Sequence, residues 1–239
     1  MSPSMESSST QSLFIGAMRA LAFMFALGAC SSTKDAEPPF ADPEVAGRAA
    51  NPDGVAYPTD HVGGLARSGA RRGDRIPNLS FQGYPDSNRA GGLRTVSLAD
   101  YYNPTSAAGR PKVLHLMEAA YWCTICDGQT KEMTPLKDAL GAEGVVVVQA
   151  IMNGARVDTG PSLLEVGQWM ERYPTWFTVV IDERAKRVGT VSEVLAVPWN
   201  ALVDLRTMEI LYAGSGRPVD YASFTKAGVD WVTTHPPSY

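Results

Sequence analysis

The chain of 239 residues contains only three cysteines, at positions 30, 123 and 126, and only three histidines. A structural zinc site needs about four such ligands close together, so this composition argues against one. No run of lysine and arginine is present, and the formal net charge is −4. Nucleic acid is therefore not an expected partner. The hydrophobic fraction of 44% and the charged fraction of 19% are typical of a soluble protein with one or two domains.

A short hydrophobic run lies near the N-terminus. Residues Ala20 to Ala29 are apolar or small, and they follow Arg19. A run of this length is typical of the hydrophobic region of a signal peptide, and it is far shorter than the roughly 20 residues that a membrane span needs. The sequence therefore predicts a signal peptide over residues 1–29 and an exported protein.

Cys30 follows this run directly, and Leu27-Gly28-Ala29-Cys30 resembles the lipobox of bacterial lipoproteins. In that family the cysteine thiol is acylated and becomes the first mature residue, so the resemblance implies a lipid anchor at Cys30. Ser31 stands where an aspartate would retain a lipoprotein in the inner membrane. This favours the outer membrane of the cell envelope, with the protein facing the periplasm. The alternative is cleavage after Ala26-Leu27-Gly28, which would give a soluble periplasmic protein.

Residues 30–75 are rich in proline, glycine, alanine and aspartate and contain few large apolar side chains. Such a composition does not bury enough apolar surface to order a chain. The sequence predicts a flexible tether here, followed by a folded domain over residues 76–239. An ordered extension of the domain is the alternative.

The hydrophobic pattern from Ile76 onward alternates between that of strands and that of helices. Strands are predicted at Leu79–Phe81, Thr95–Ser97, Lys112–Met117, Gly144–Val148, Phe177–Ile181, Ala201–Leu205 and Glu209–Tyr212. Helices are predicted from Cys126 to Leu140 with Gly141 just beyond the end, from Pro161 to Arg172, and from Asp220 to Val232. The second of these begins with a capping-box pattern in Pro161-Ser162-Leu163-Leu164-Glu165. This alternation indicates an α/β fold whose central strands are parallel and which ends in an antiparallel hairpin.

Cys123 and Cys126 lie where a predicted strand ends and a helix begins. Residues three apart share one helix face, so the two sulfurs can form a disulfide without strain. The free amide groups at a helix start favour a thiolate and can lower a thiol pKa below its usual ~8.5. We therefore predict Cys123 as the exposed nucleophile and Cys126 as the resolving thiol. A purely structural disulfide is a weaker alternative, because so small a ring adds little stability.

Trp122-Cys123-Thr124-Ile125-Cys126 resembles the redox centre of the thioredoxin-like proteins, most closely of their exported, membrane-anchored TlpA-like branch. The resemblance covers about residues 73–239 and includes the opening segment Gly73–Leu79. It implies a thioredoxin-like fold with a central mixed sheet flanked by helices and a short N-terminal β-hairpin. It also implies a cis peptide bond at Val197-Pro198, in a loop facing the dithiol. Pro135 departs from the pattern, since the family's helix proline comes four residues earlier.

Several further residues are candidates for supporting roles. The resemblance implies that Trp122, Val197 and Pro198 border the dithiol, and that a carboxylate near Cys126 carries its proton. Glu118 is the acid just upstream, about one residue off the expected register; the alternative is a solvated residue at the strand end. His115 is predicted as a core histidine, with tuning of the thiols as the alternative. Trp199 either flanks the substrate groove or fills the core.

These features predict an extracytoplasmic thiol–disulfide oxidoreductase. Its partners would be protein thiols and disulfides, with a membrane electron donor that recharges the Cys123–Cys126 pair. The branch it resembles acts mostly in reduction, and no cofactor or metal is expected beyond the redox-active disulfide itself. A peroxidase of the same fold is the alternative, although Ala119 and Ala120 stand where its proline and threonine signature would lie. A copper-binding or non-catalytic chaperone is another, although such proteins have three residues between the cysteines and a later histidine.

Overall fold

The computed structural model describes residues 37–60, 70–192 and 196–237. The predicted signal peptide and Cys30 lie outside these residues. None of the helices in the described ranges is both long enough and apolar enough to cross a membrane.

A mixed sheet of seven strands forms the centre of the fold, in the order β2-β1-β5-β4-β3-β6-β7. The central strands β3, β4 and β5 are parallel, and the remaining neighbours pair antiparallel. The pairing confirms the predicted hairpins at both ends of the domain. The strands are β1 (Ser80–Tyr84), β2 (Arg94–Ser97), β3 (Val113–Ala120), β4 (Val145–Asn153), β5 (Thr178–Ile181), β6 (Trp199–Asp204) and β7 (Glu209–Ser215).

Four α-helices contribute to the core on one face of this sheet. Short 3-10 turns and the segment before β1 contribute to the core on the other face. The parallel strands β3, β4 and β5 follow one another across the sheet in one direction. Connections between parallel strands are right-handed, so the helices between these strands all lie on the same face. The helices are α1 (Thr124–Met133), α2 (Lys137–Glu143), α3 (Leu163–Arg172) and α4 (Tyr221–Thr234).

The helix predicted from Cys126 to Leu140 is two helices. Pro135 has no amide hydrogen to donate, and α1 gives way to a 3-10 turn at Thr134–Leu136 before α2 begins. The prediction that Gly141 ends this helix is wrong, because Gly141 lies inside α2. The helix ends instead at Gly144, whose φ of 81° is a left-handed conformation that glycine adopts without strain. The capping box predicted for α3 is confirmed, with Ser162 and Glu165 as its partners.

The structure describes residues 37–60 and 70–75 of the predicted tether, and residues 37–60 pack against the domain. The side chain of Asp42 is buried and forms an ion pair with Arg187. The hydroxyl of Tyr57 donates a hydrogen bond of 2.7 Å to the carbonyl of Ile76, and Tyr57 is itself buried. Composition did not reveal this packing because it depends on a few isolated residues rather than on a periodic hydrophobic pattern.

Candidate redox site

Cys123 and Cys126 form a disulfide at the start of α1, with their Cα atoms 5.2 Å apart. Strand β3 ends at Ala120, and the amide of Cys123 donates a hydrogen bond of 3.0 Å to the carbonyl of Ala120. This tight turn places Cys123 at the N-cap of α1 and Cys126 in its first turn. The predicted strand-to-helix junction is therefore the location of the pair.

The sulfur of Cys123 acts as the helix cap. It accepts a hydrogen bond of 3.0 Å from the amide of Cys126, one of the donors that a helix start leaves without an intrahelical partner. The same donor would stabilise a thiolate on Cys123 after reduction of the disulfide. The two thiols are thus not equivalent, because the Cys123 sulfur faces the positive end of the helix.

The expectation that Cys123 is exposed is wrong for the disulfide form. Cys123 is 4% exposed and Cys126 is 0% exposed. The Cys123 sulfur is turned inward because it is bonded to Cys126 and capped by its amide. The exposed surface around the pair belongs instead to Trp122 and Ile125, which are 41% and 56% exposed.

The Val197-Pro198 peptide bond is cis, as the resemblance predicts. The strand register places Pro198 near the pair, since Trp199 of β6 lies opposite Glu118 of β3. Pro198, one residue before Trp199, therefore lies beside the end of β3 that leads to Cys123. The carbonyl of Pro198 accepts a hydrogen bond of 2.7 Å from the amide of Gly216.

Glu118 is buried completely, so the alternative of a solvated strand-end residue is wrong. Neither carboxyl oxygen has a hydrogen-bond partner. Burial, together with the negative charge of Asp182, raises the pKa of Glu118 well above its usual value. Alternation along β3 puts Glu118 on the face of Leu114 and Leu116, opposite the face on which α1 packs. Its role as a proton carrier for Cys126 stays a prediction.

The raised pKa of Glu118 leads to a stability prediction. The folded protein keeps this carboxyl protonated at pH values where the unfolded chain ionises it, so stability is lost as pH rises above about 4.3 toward the folded pKa. We expect Glu118→Gln to remove that loss, because an amide of the same shape does not ionise. The difference in the free energy of unfolding between variant and wild type should rise with pH, by up to about 1.4 kcal/mol per unit. Urea unfolding at a series of pH values measures it, and a difference independent of pH would contradict a protonated Glu118.

His115 is confirmed as a core histidine. It is buried completely, and its ring nitrogens lie 2.8 Å from the side-chain oxygen of Asn200 and 2.8 Å from the hydroxyl of Tyr221. Burial lowers the pKa of His115 to about 4, so the ring is neutral at physiological pH. Trp199 is 3% exposed and belongs to the core on the face of Glu118, so it does not form an exposed wall of a groove.

Two groups of polar residues near the pair were not predicted from the sequence. Arg172 of α3 lies 4.8 Å from the ring of Tyr121 and donates a hydrogen bond of 2.8 Å to its hydroxyl. Gln129 of α1 and Asn200 of β6 meet beneath the site. No signal along the chain connects these residues, because each pair is separated by more than 50 positions. Within the described ranges, no group of three or more metal-binding side chains is close enough to hold an ion.

Several solved structures are similar to this fold. One is a candidate thiol:disulfide interchange protein DsbE from Chlorobium tepidum, at 20% identity and a TM-score of 0.51, with 68% of this chain and 98% of that chain covered. Another is a candidate protein disulfide isomerase from Bacteroides thetaiotaomicron, at 14% identity and a TM-score of 0.52, with 70% and 92% covered. A third is an uncharacterized conserved protein from Geobacillus kaustophilus, at 16% identity and a TM-score of 0.54, with 70% and 85% covered.

No family model matches the sequence, and no curated protein matches it. At these low identities the structural similarity establishes the fold, which is thioredoxin-like. Two of these neighbours carry names from thiol–disulfide chemistry, while the chemistry of this chain rests on its own residues.

Proposed function

We propose that this thioredoxin-fold protein is an extracytoplasmic thiol–disulfide oxidoreductase that reduces disulfides in partner proteins. The observation that carries the proposal is the Cys123–Cys126 disulfide at the N-terminus of α1, with the Cys123 sulfur as helix cap. A helix start stabilises the thiolate that such exchange requires. The apolar exposed surface of Trp122 and Ile125 beside the pair suits contact with a partner protein.

The reaction consists of two exchanges. In the reduced protein the Cys123 thiolate attacks one sulfur of a partner disulfide, which forms a mixed disulfide and releases the other partner sulfur as a thiolate. The Cys126 thiolate then attacks the Cys123 sulfur, which releases the second partner sulfur. The partner gains two electrons and two protons, and the protein is left with the Cys123–Cys126 disulfide. A membrane electron donor would return two electrons to this disulfide.

The supporting residues have separate roles in this proposal. Pro198 lacks an amide hydrogen, so it offers no donor that competes for the thiolate, and the backbone of Val197 would pair with an extended segment of the partner. Trp122 would contact that segment from the other side of the pair. Glu118, held protonated by burial, would supply a proton during exchange.

A glutathione redox titration tests the proposal. We expect Cys123 and Cys126 to titrate together as one two-electron couple, with a potential more negative than about −200 mV, as for proteins that act in reduction. Thiol alkylation followed by mass measurement of the full chain reports the fraction reduced at each ratio of reduced to oxidised glutathione. A pair that does not exchange with glutathione would contradict the function. A potential near −120 mV would contradict only the direction and indicate an oxidant.

We further propose that Cys30 carries a lipid that anchors the protein on the periplasmic side of the cell envelope, in the outer membrane. The support is its position after a hydrophobic run in Leu27-Gly28-Ala29-Cys30. In a Gram-negative host the protein should incorporate labelled palmitate. The label should disappear in Cys30→Ala and persist in the double variant Cys123→Ala and Cys126→Ala. An unlabelled wild-type protein free in the periplasm would contradict the anchor.

A further inference from the structure

A chain of neutral polar side chains lies buried beneath the dithiol helix. It consists of Gln129 of α1, Asn200 of β6, His115 of β3 and Tyr221 of α4, and none of the four is exposed. The amide nitrogen of Gln129 donates a hydrogen bond of 2.6 Å to the side-chain oxygen of Asn200. The same oxygen lies 2.8 Å from Nε2 of His115, and Nδ1 of His115 lies 2.8 Å from the hydroxyl of Tyr221.

The direction of every hydrogen bond in this chain follows from one backbone group. The carbonyl of Gly216 can only accept, so the amide nitrogen of Asn200, 2.9 Å away, must face it. The side-chain oxygen of Asn200 then accepts from both Gln129 and His115. His115 must donate from Nε2, which leaves Nδ1 without a proton and makes the hydroxyl of Tyr221 its donor. The chain has a single arrangement in which all these donors are paired.

The same chain connects the helix of the cysteines to the loop of Pro198. Gln129 lies three residues after Cys126 and so on the same face of α1. Asn200 lies two residues after Pro198. Gly216 is hydrogen-bonded to both Asn200 and Pro198. Its carbonyl accepts from the side chain of Asn200, and its amide donates to the carbonyl of Pro198 over 2.7 Å. Gly216 has a φ of 98°, a conformation that a side chain would strain.

We propose that Gln129 and Asn200 are positioning residues that hold the Pro198 loop at a fixed distance from the dithiol, and that they determine how well a partner protein binds there. The inference rests on the proposed function, in which Val197 pairs with the partner. Loss of the Gln129 amide would leave the Asn200 oxygen bonded to His115 alone and free Asn200 from α1. The loop would then sample positions in which Val197 and Cys123 no longer engage one partner segment together.

A second contact of α1, with the segment between β7 and α4, does not replace this one. Glu132 at the end of α1 accepts a hydrogen bond of 3.0 Å from the amide of Tyr221 and forms an ion pair of 3.1 Å with Arg217. The side chain of Arg217 is 42% exposed, so solvent screens this pair and its strength is small. The buried amides are unscreened, and their geometry is correspondingly stricter.

The test compares Gln129→Met with Gln149→Met in the full chain. Gln149 is an equally buried amide whose hydrogen bonds go to Met117 of β3, Thr130 of α1 and Trp169 of α3 rather than to Asn200. Two reactions are measured for each variant: oxidation of the reduced protein by a protein disulfide substrate, for which insulin serves as the probe, and reduction of its disulfide by dithiothreitol. Gln129→Met removes two buried hydrogen bonds to Asn200, of 2.6 and 3.3 Å. We expect KM for insulin to rise about tenfold, with kcat and the dithiothreitol rate nearly unchanged.

Gln149→Met should lose similar stability and keep its KM. A second measurement distinguishes a loosened Pro198 loop from a general loss of stability. Hydrogen exchange of the Gly216 amide should accelerate about tenfold in Gln129→Met and not in Gln149→Met. An unchanged KM in Gln129→Met, an equal rise in both variants, or an equal fall in the insulin and dithiothreitol rates would overturn the proposal. A wild-type protein that does not reduce insulin or exchange with glutathione would instead contradict the proposed function.

Discussion

Replacement of Cys126 by serine should convert the protein into a trap for its partners. The first exchange needs only the Cys123 thiolate, so a mixed disulfide between Cys123 and the partner still forms. The second exchange needs the Cys126 sulfur, so the mixed disulfide persists and turnover falls to the rate of the uncatalysed reaction. Cys123→Ser should also have no turnover but should trap almost no partner, because the Cys126 sulfur does not accept the helix-start amide and Cys126 has no exposed surface at all.

Both variants are made in the full chain with Cys30 retained, because the proposed lipid occupies the Cys30 sulfur and keeps the protein in the envelope. Non-reducing electrophoresis of envelope extracts, quenched with acid, shows the trapped species as bands that reducing agent abolishes. In the reduced wild type, iodoacetamide at mildly acidic pH should modify Cys123 much faster than Cys126. Equal trapping by the two variants, or equal alkylation rates, would show that the helix start does not distinguish the thiols.

Replacement of Arg187 by alanine should destabilise the domain by about 3–5 kcal/mol, because it leaves buried carboxylates without their cation. The guanidinium of Arg187 binds Asp42 over 3.1 Å and lies 3.6 Å from Asp182. Both carboxylates have side chains that are 0% exposed. Asp182 keeps the amides of Arg187 and Val188 as donors, whereas Asp42 loses its ion pair.

Urea unfolding of the full chain measures this loss, and Arg156→Ala is the matched control. Arg156 forms an exposed pair with Asp158 at 3.4 Å, and its removal should change stability by no more than about 0.5 kcal/mol. A loss below about 1 kcal/mol would show that residues 37–60 are not held on the domain by this ion pair.

The redox pair and the main elements could be predicted because their signals are local. The pair and its helix lie within a few residues of Cys123, and helix or strand period shows in any window of about ten residues. The capping box at Ser162 is likewise contained in four positions. The exception is the helix after Cys126, because Gly141 and Gly144 are both possible end positions. Gly144 ends it because the chain turns into β4 there with a positive φ, and packing decides that choice rather than the local sequence.

Other features were decided only in the tertiary structure. Burial of Asp42 and Tyr57 depends on Arg187 and Ile76, which lie far along the chain, so composition predicted a tether where residues 37–60 pack. Glu118 lies on the face of the sheet opposite α1, and it is buried because that face has a hydrophobic core of its own. The sequence by itself determined which residues form the disulfide, because a dithiol needs only a short spacing at a helix start. The tertiary structure decided what surrounds them, because the amides of Gln129 and Asn200 meet only after the sheet has formed.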